Sequence, residues 1–421
     1  MPYQVPRGTV DVLPEEARRW QAVEDVFRDV CRRFGYGEIR TPIFEQTELF
    51  ARSVGETTDI VQKEMYTFTD RGGRSLTLRP EGTAPVVRAY IEHKLYASPD
   101  LPVKLCYLGP MFRYERPQSG RQRQFHQFGV EAIGSDTPVL DAEVIALGWT
   151  FLRTLGLHDV TLTLNSVGCP VCRPAYRAAL VDYVRPHREE LCEDCRSRLD
   201  QNPLRILDCK IDGDTPLVEA APKITEHLCD ACRDHHAALK TELTRLGIPF
   251  VEDAHLVRGL DYYTRTVFEF VAEGLGAQNT VLAGGRYNGL VKELGGPDQP
   301  GIGFALGVER LLLLLKAQGA SLGTHPELQA FVIAFGAGEA RKLPLLMRLR
   351  EAGVCADADY SGRGIKAQLK AANRRGARYA LIVGDDEAQT GTVTVKDLVA
   401  GGQQTVSEAE LVNAMRDFLR P

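Results

Sequence analysis

Trp20, Val23, Phe27, Val30 and Phe34 recur at alternating spacings of three and four, the stripe by which one face of an α-helix is buried. Pro14 suits the first helical position, Glu15 and Glu16 meet the positive end of the helix dipole, and Gly35 ends the run. Short β-rich runs follow at Glu38 to Thr41, Leu76 to Leu78, Val103 to Tyr107, Met111 to Glu115 and Phe125 to Glu131. Few are joined by a helix of crossover length, so the pattern predicts a largely antiparallel sheet flanked by helices. From Cys169 to about Gly247 helical patterns replace the strands, and this segment reads as an insertion. The sheet pattern resumes over Val257 to Val271 and near Gly301 to Gly307. Beyond Leu328 the order changes to strand (Ala330 to Phe335), helix (near Glu339 to Glu351), strand (Val354 to Ala358), helix (from about Arg363) and strand (Tyr379 to Val383). The expectation is an α+β domain over residues 1–325 with a helical insertion at about 169–247, and a C-terminal α/β domain over 328–421. Ala317 to Glu327, with two glycines and a proline, is the expected linker.

A length of 421 residues holds two or three domains at roughly 100 to 200 residues each. With 44% hydrophobic and 25% charged residues, a disordered or fibrous chain is excluded. The 51 basic and 56 acidic side chains leave a formal charge of −5, so any nucleic-acid site must be local. One local stripe exists. Arg363, Lys366, Lys370 and Arg374 are spaced for one helix face, with Arg375 and Arg378 nearby and no acid between Tyr360 and Gly384. Such a stripe can contact several phosphates; a solvated basic face is the plainer account. Charges interrupt every apolar stretch well before about 18 residues, and no signal-peptide core opens the chain, so a cytoplasmic protein without a membrane span is expected.

Seven of the ten cysteines fall between Cys169 and Cys232, in three C-x-x-C units plus Cys209. That density points to a metal or thiol cluster before disulfides. Cys192, Cys195, Cys229 and Cys232 form a candidate tetrahedral zinc set. Reduced thiols filling a small helical core are the alternative, and no βαβ pattern supports redox use. His126 should face away from Gln127, and His235 with His236 reads as a solvated helix pair rather than a ligand set.

Strand side chains alternate faces, which puts Arg113 and Glu115 on one face and Phe125, Gln127 and Glu131 on one face of the next strand. The nine residues Arg116 to Gln124 imply a long arginine-rich hairpin loop. Aligned, these strands would present a cation, carboxylates, an amide and an aromatic plate together. Guanidinium groups match phosphate oxygens and stabilise charge developing in nucleotidyl transfer. A solvated face with paired charges accounts for the same pattern. Arg79-Pro-Glu81-Gly-Thr83 precedes a helix, with Thr83 readable as no more than its N-cap. Arg258 to Tyr263 packs a cation, an acid and two phenols into six residues, while Ala283 to Tyr287 and Gly301 to Arg310 set glycines beside arginines. Neither glycine run has a phosphate-cradling spacing.

Phe112-Arg113-Tyr114-Glu115 with its loop resembles the second signature motif of class II aminoacyl-tRNA synthetases, and Gly307-Val308-Glu309-Arg310 resembles the third. Thr41 to Glu45 is similar to the first, which in that class lies at a dimer interface. Arg258 to Tyr263 and Ala283 to Leu290 are similar to two peptides peculiar to the histidyl enzymes, except that Asn288 stands where Asp is usual. The resemblance runs over essentially the whole chain. It implies a homodimer that joins L-histidine to histidine tRNA with Mg-ATP, through a histidyl-adenylate. Glu81, Thr83 and Gln127 would then hold the amino acid, with its imidazole between Glu131 and Tyr262, Tyr263 and Tyr287. Arg113 would bind the α-phosphate, Glu115 and Phe125 the adenine, and Arg121 and Arg310 the outer phosphates. Arg258 would meet both the α-phosphate and the histidine carboxylate as a fixed cation. Arg116 and Gln118 would approach the extra 5′ guanosine of the tRNA, and Arg363, Lys366, Lys370 and Arg374 would belong to an anticodon-binding domain. A pocket that hydrogen-bonds both ring nitrogens can discriminate by about 10⁴ without editing. Two other classes compete: an inactive regulatory subunit of histidine biosynthesis, and a sensor of uncharged tRNA. The first typically loses active-site arginines and the C-terminal domain, both present here; the second needs a partner domain that this length does not allow.

Overall fold

Helix α1 (Pro14–Arg33) buries Trp20, Val23, Phe27, Val30 and Cys31, with Glu15 and Glu16 in its first turn and Arg32 and Arg33 in its last. Gly35, at φ +79°, supplies the left-handed residue beyond its end. The computed structural model describes residues 3–55, 58, 60–272, 279–320, 322 and 328–420. The chain divides into two units, Met1–Leu322 and Gly323–Pro421; of the expected linker, residues 321 and 323–327 lie outside the described residues.

The first unit holds strands β1 (Gly37–Glu38), β2 (Phe44–Gln46), β3 (Tyr66–Thr69), β4 (Ser75–Leu78), β5 (Val103–Phe112), β6 (Gln124–Ile133), β7 (Val160–Ser166), β8 (Phe250–Glu252), β9 (Thr264–Ala272), β10 (Thr280–Arg286) and β11 (Gly301–Gly307). Its helices after α1 are α2 (Thr47–Val54), α3 (Thr83–Glu92), α4 (Pro138–Thr154), α5 (Arg173–Val184), α6 (Glu193–Gln201), α7 (Pro216–Glu219), α8 (Asp230–Arg245), α9 (Leu290–Glu293) and α10 (Val308–Ala317). The main sheet runs β1-β5-β6-β11-β10-β9-β7-β8. Its inner pairs are antiparallel, and only the edge pairs β1–β5 and β7–β8 are parallel. A small sheet, β2-β4-β3, stands beside it.

Alternation along the strands sorts the sheet into two faces. Phe128 and Val130 of β6, Phe268 and Phe270 of β9, and Ile302, Phe304 and Leu306 of β11 join α1, α4 and α10 in the principal core. Phe27 stacks on Phe128 at 4.7 Å and meets Phe151 of α4 edge-on at 5.5 Å. The opposite face, carrying Gln127 and Glu131, is left for other chemistry.

Three expected strands are redrawn. Met111 to Glu115 is no separate strand: β5 runs on to Phe112, and the ladder ends beyond Arg113, where Arg123 N–H turns to Gly8 O and Tyr114 N–H to Glu64 O. The Glu38 run pairs with β5 at Gly37 and Glu38 only, and farther on the Thr41 carbonyl accepts from Arg79. The stretch expected from Val257 begins as a strand only at Thr264.

Helices α5 to α8 form the insertion, with a core of their own around Tyr176, Leu180, Leu199, Ile206 and Val218. The second unit contains β12 (Ala330–Ala334), β13 (Ala356–Ala358), β14 (Tyr379–Val383), β15 (Thr392–Asp397) and β16 (Gln403–Ser407), in the order β13-β12-β14-β15-β16. Its first three strands are parallel and its last two antiparallel. Helices α11 (Lys342–Glu351), α12 (Ile365–Arg374), α13 (Asp385–Thr390) and α14 (Leu411–Phe418) complete it. Among the described residues no helix is long and apolar enough to cross a membrane.

Candidate active site

The β5–β6 register pairs Met111 with Phe125, Gly109 with Gln127, Tyr107 with Gly129 and Leu105 with Glu131. Gln127 and Glu131 open into a cavity of about 150 Å³, which Glu81, Thr83, Arg113, Arg258, Tyr262, Tyr263 and Tyr287 also line. Nine of the residues singled out in the sequence thus share one enclosure. Tyr107 lines it as well and was missed; counting back by twos from Arg113 would have found it. Glu269 was missed too. It holds Arg258 in an ion pair and accepts a 2.7 Å bond from Thr280, and a lone carboxylate amid Val267, Phe268, Phe270 and Val271 was its signal.

Glu81, rather than Thr83, caps α3: its carboxylate accepts the N–H groups of Thr83 and Ala84, both at 2.8 Å. That frees the Thr83 hydroxyl, which donates to Glu131 at 2.7 Å, while Tyr287 donates to the other Glu131 oxygen at 2.6 Å. Only glycine fits at 303, since a Cβ there would overlap the Glu131 carboxylate. Gln127 Oε1 and Arg258 Nε meet no hydrogen-bond partner among the described residues, so the cavity presents both an acceptor and a donor to a ligand.

Burial pushes the Glu131 carboxyl up to about 8 against the bonds from Tyr287 and Thr83, and the Glu81 charge adds to the rise. Burial likewise raises Glu81, against the helix N–H groups it caps. Burial opposes the Arg258 charge, yet Glu269 and Tyr263 outweigh it and hold the guanidinium above its ordinary value. The raised Glu131 has a stability signature: whatever its neutral form contributes is present at low pH and lost as pH climbs towards about 8. Glu131→Gln should therefore gain on wild type between about pH 5 and 8, by at most about 1.4 kcal/mol per pH unit. Urea melts at both ends of that range test it, and a difference independent of pH would contradict it.

The residues expected at the nucleotide gather outside this enclosure and connect to it through Arg113. That guanidinium donates to Pro80 O at 2.8 Å, lies 5.2 Å from the Phe125 ring centre and 3.8 Å from Glu115. Arg121 pairs with Glu115 at 3.0 Å. Arg310 donates to Thr280 O at 3.0 Å, and its value is depressed by burial and by Arg121. Arg116 and Gln118 are exposed in the loop, which Gly120 turns at φ +70°. His126 does face away from Gln127: it bonds Glu309 at 3.0 Å and packs edge-on against Trp20.

Arg286, which the sequence shows beside two glycines, is fully buried and does not line the cavity. It pairs with Asp141 at 2.5 Å and donates to the carbonyls of Ser135 and Thr137, both at 3.0 Å. Thr266 and His235 complete the shell around Asp141 at 2.6 and 2.8 Å. His235 and His236 are therefore buried, contrary to the solvated reading, with His236 bonded to Glu252 at 3.0 Å. Asn288 fits where Asp is usual, accepting from Arg286 and donating to Asp136 at 2.7 Å.

The zinc set expected from Cys192, Cys195, Cys229 and Cys232 is not brought together. The structure gathers Cys169, Cys172, Cys229 and Cys232 in one cluster, and Cys192, Cys195, Cys209 and Asp212 in another. Chain topology decides this: Cys172 and Cys229 stand at the starts of α5 and α8, whereas Cys192 starts α6. In the second unit Lys366, Lys370 and Arg374 are exposed on one face of α12, but Arg363 precedes the helix and pairs with Asp359.

Comparison with known proteins agrees with these features. Residues 8–311 match the family model for histidyl-tRNA synthetase, and residues 329–418 match that for an anticodon binding domain. A histidine–tRNA ligase of Lysinibacillus sphaericus is 55% identical over 98% of this chain and 99% of its own. One from Geobacillus thermodenitrificans is 56% identical over 98% of each. The crystal structure of apo S. aureus histidyl-tRNA synthetase superposes with a TM-score of 0.85 at 44% identity, covering 98% of this chain and 100% of that one. Cavity, chain order and full-length similarity converge, and the chain belongs to the histidyl-tRNA synthetase family of class II aminoacyl-tRNA synthetases.

Proposed function

We propose that the protein joins L-histidine to histidine tRNA in two steps, with Mg-ATP as co-substrate. The observation that carries this reading is the single enclosure joining two buried carboxylates, an amide and four phenols to Arg113 and Arg258. A histidine carboxylate oxygen attacks the α-phosphorus of ATP, the bond to the bridging oxygen breaks, and pyrophosphate leaves. A hydroxyl of the terminal tRNA ribose then attacks the adenylate carbonyl, AMP departs, and the hydroxyl proton passes to solvent. No protein nucleophile takes part, so catalysis is positioning plus stabilisation of phosphate charge.

In this scheme Glu81, Thr83 and Gln127 bind the ammonium end, and Glu131 with Tyr262, Tyr263 and Tyr287 binds the imidazole. Arg113 and Arg258 meet the α-phosphate, Glu115 and Phe125 the adenine, and Arg121 and Arg310 the outer phosphates. Residues 1–325 serve as the catalytic domain and 328–421 as the anticodon-binding domain. Exposed Ile43, Phe44 and Phe68 on the small sheet suit an apolar interface between two copies, and we read the protein as a cytoplasmic homodimer. Arg116 and Gln118 face the 5′ end of the tRNA. The regulatory alternative is disfavoured by the arginines of the cavity and by similarity that runs through the second unit.

Charging assays with histidine tRNA test the scheme. Lys366→Glu combined with Lys370→Glu should raise the KM for tRNA on the order of tenfold and flatten its salt dependence, with histidine-dependent pyrophosphate exchange unchanged. Equal loss in both assays would remove α12 from tRNA binding.

A further inference from the structure

The insertion contains two thiol clusters that the synthetase reaction does not use. Cys169, Cys172, Cys229 and Cys232 present four sulfurs within 4.8 Å of one another. The Cys169–Cys229 and Cys169–Cys172 separations are 3.8 Å and that of Cys172–Cys232 is 3.9 Å. Sulfurs bound at about 2.3 Å to one tetrahedral zinc stand about 3.8 Å apart, so the spacing is that of a shared ion. Cys172 and Cys232 are buried while Cys169 and Cys229 are half-buried, giving a closed site of the structural kind. Arg173 and Arg265 lie near the sulfurs and oppose the charge of a tetrathiolate.

The second cluster is independent in sequence and in place. Cys192, Cys195, Cys209 and Asp212 offer three sulfurs and a carboxylate within 4.8 Å of one another, with Cys192 and Cys209 at 3.7 Å. Asp212 is 5% exposed and accepts the Cys192 N–H at 3.1 Å, so the fourth ligand is already oriented by the backbone.

From this geometry we propose that the insertion is stapled by two zinc ions, one held by Cys169, Cys172, Cys229 and Cys232 and one by Cys192, Cys195, Cys209 and Asp212. The first ion ties the start of α5 to the start of α8, whose Leu239 and Leu243 belong to the core of the main sheet. The second ties the start of α6 to the turn that follows residue 206. Staples of this kind fix the geometry of the helix starts they join. The first staple also reaches the reaction site. Arg173, next to Cys172, donates to the carbonyl of Tyr263, a wall of the histidine cavity.

Metal analysis of the full chain purified without chelators should find two zinc ions per chain. Cys169→Ser with Cys229→Ser, and separately Cys192→Ser with Cys209→Ser, should each lower the content to one, and only the first pair should raise the histidine KM. If a variant fails to fold, the native chain answers: cobalt exchanged for zinc should show the intense d–d bands and thiolate charge transfer of tetrahedral sulfur sites, and mercurial titration should release both zincs. No zinc, iron in its place, or disulfides in the chain as isolated would overturn the proposal. A content of one, lost in one variant pair alone, would overturn the other site.

Discussion

Arg258→Ala is expected to slow histidyl-adenylate formation by about 10²- to 10³-fold while changing the KM for histidine only a few-fold. The guanidinium lines the cavity, is fixed by Glu269, and keeps its Nε without a partner. Glu269 is itself tied to Thr280 at 2.7 Å, so the cation is aimed before substrate arrives. Negative charge grows at the α-phosphate only as the new bond forms, and a preoriented cation is worth most at that moment. Arg258→Lys should fall between, since an ammonium supplies the charge without the planar fork. Single-turnover adenylate formation, set beside equilibrium histidine binding, reads the split. Equal losses in rate and affinity would mean that the residue gives only uniform binding.

The largest expected effect on stability comes from a residue outside the cavity. Arg286→Ala should cost about 3–5 kcal/mol, because it strips a buried carboxylate of its ion partner. Arg286 and Asp141 are each fully buried, and the guanidinium also serves the carbonyls of Ser135 and Thr137. Some of the loss is softened by Thr266 and His235, which still face Asp141. Because Tyr287 follows directly and bonds Glu131, the histidine KM should rise in whatever fraction stays folded. Urea denaturation with unchanged slope measures the first effect. A loss below about 1 kcal/mol would show that the pair is dispensable.

The two fates of arginine mark where the sequence was readable. Arg113 and Gln127 could be placed on the working face because strand alternation is a local rule, and the observed register keeps it. Arg286 could not, since its glycine-rich neighbourhood looks the same whether the side chain turns to a ligand or to Asp141, 145 residues away. The cysteines failed for a related reason. Their pairing depends on which helix starts meet, and Cys169 meets Cys229 across 60 residues, a contact that no spacing encodes. The apolar stripe of α1 was legible from local periodicity, and the sheet from the near absence of crossover helices. The long β5 hid behind Gly109 and Pro110, which look like a break yet pair with Gln127 and His126.

This cavity is expected to activate histidine. Histidine-dependent exchange of labelled pyrophosphate into ATP, run with purified protein, magnesium and each of the twenty amino acids in turn without tRNA, tests it most directly. Exchange with histidine and with no other amino acid is the predicted result. Absence of exchange with every amino acid, in protein shown to be folded, would contradict it.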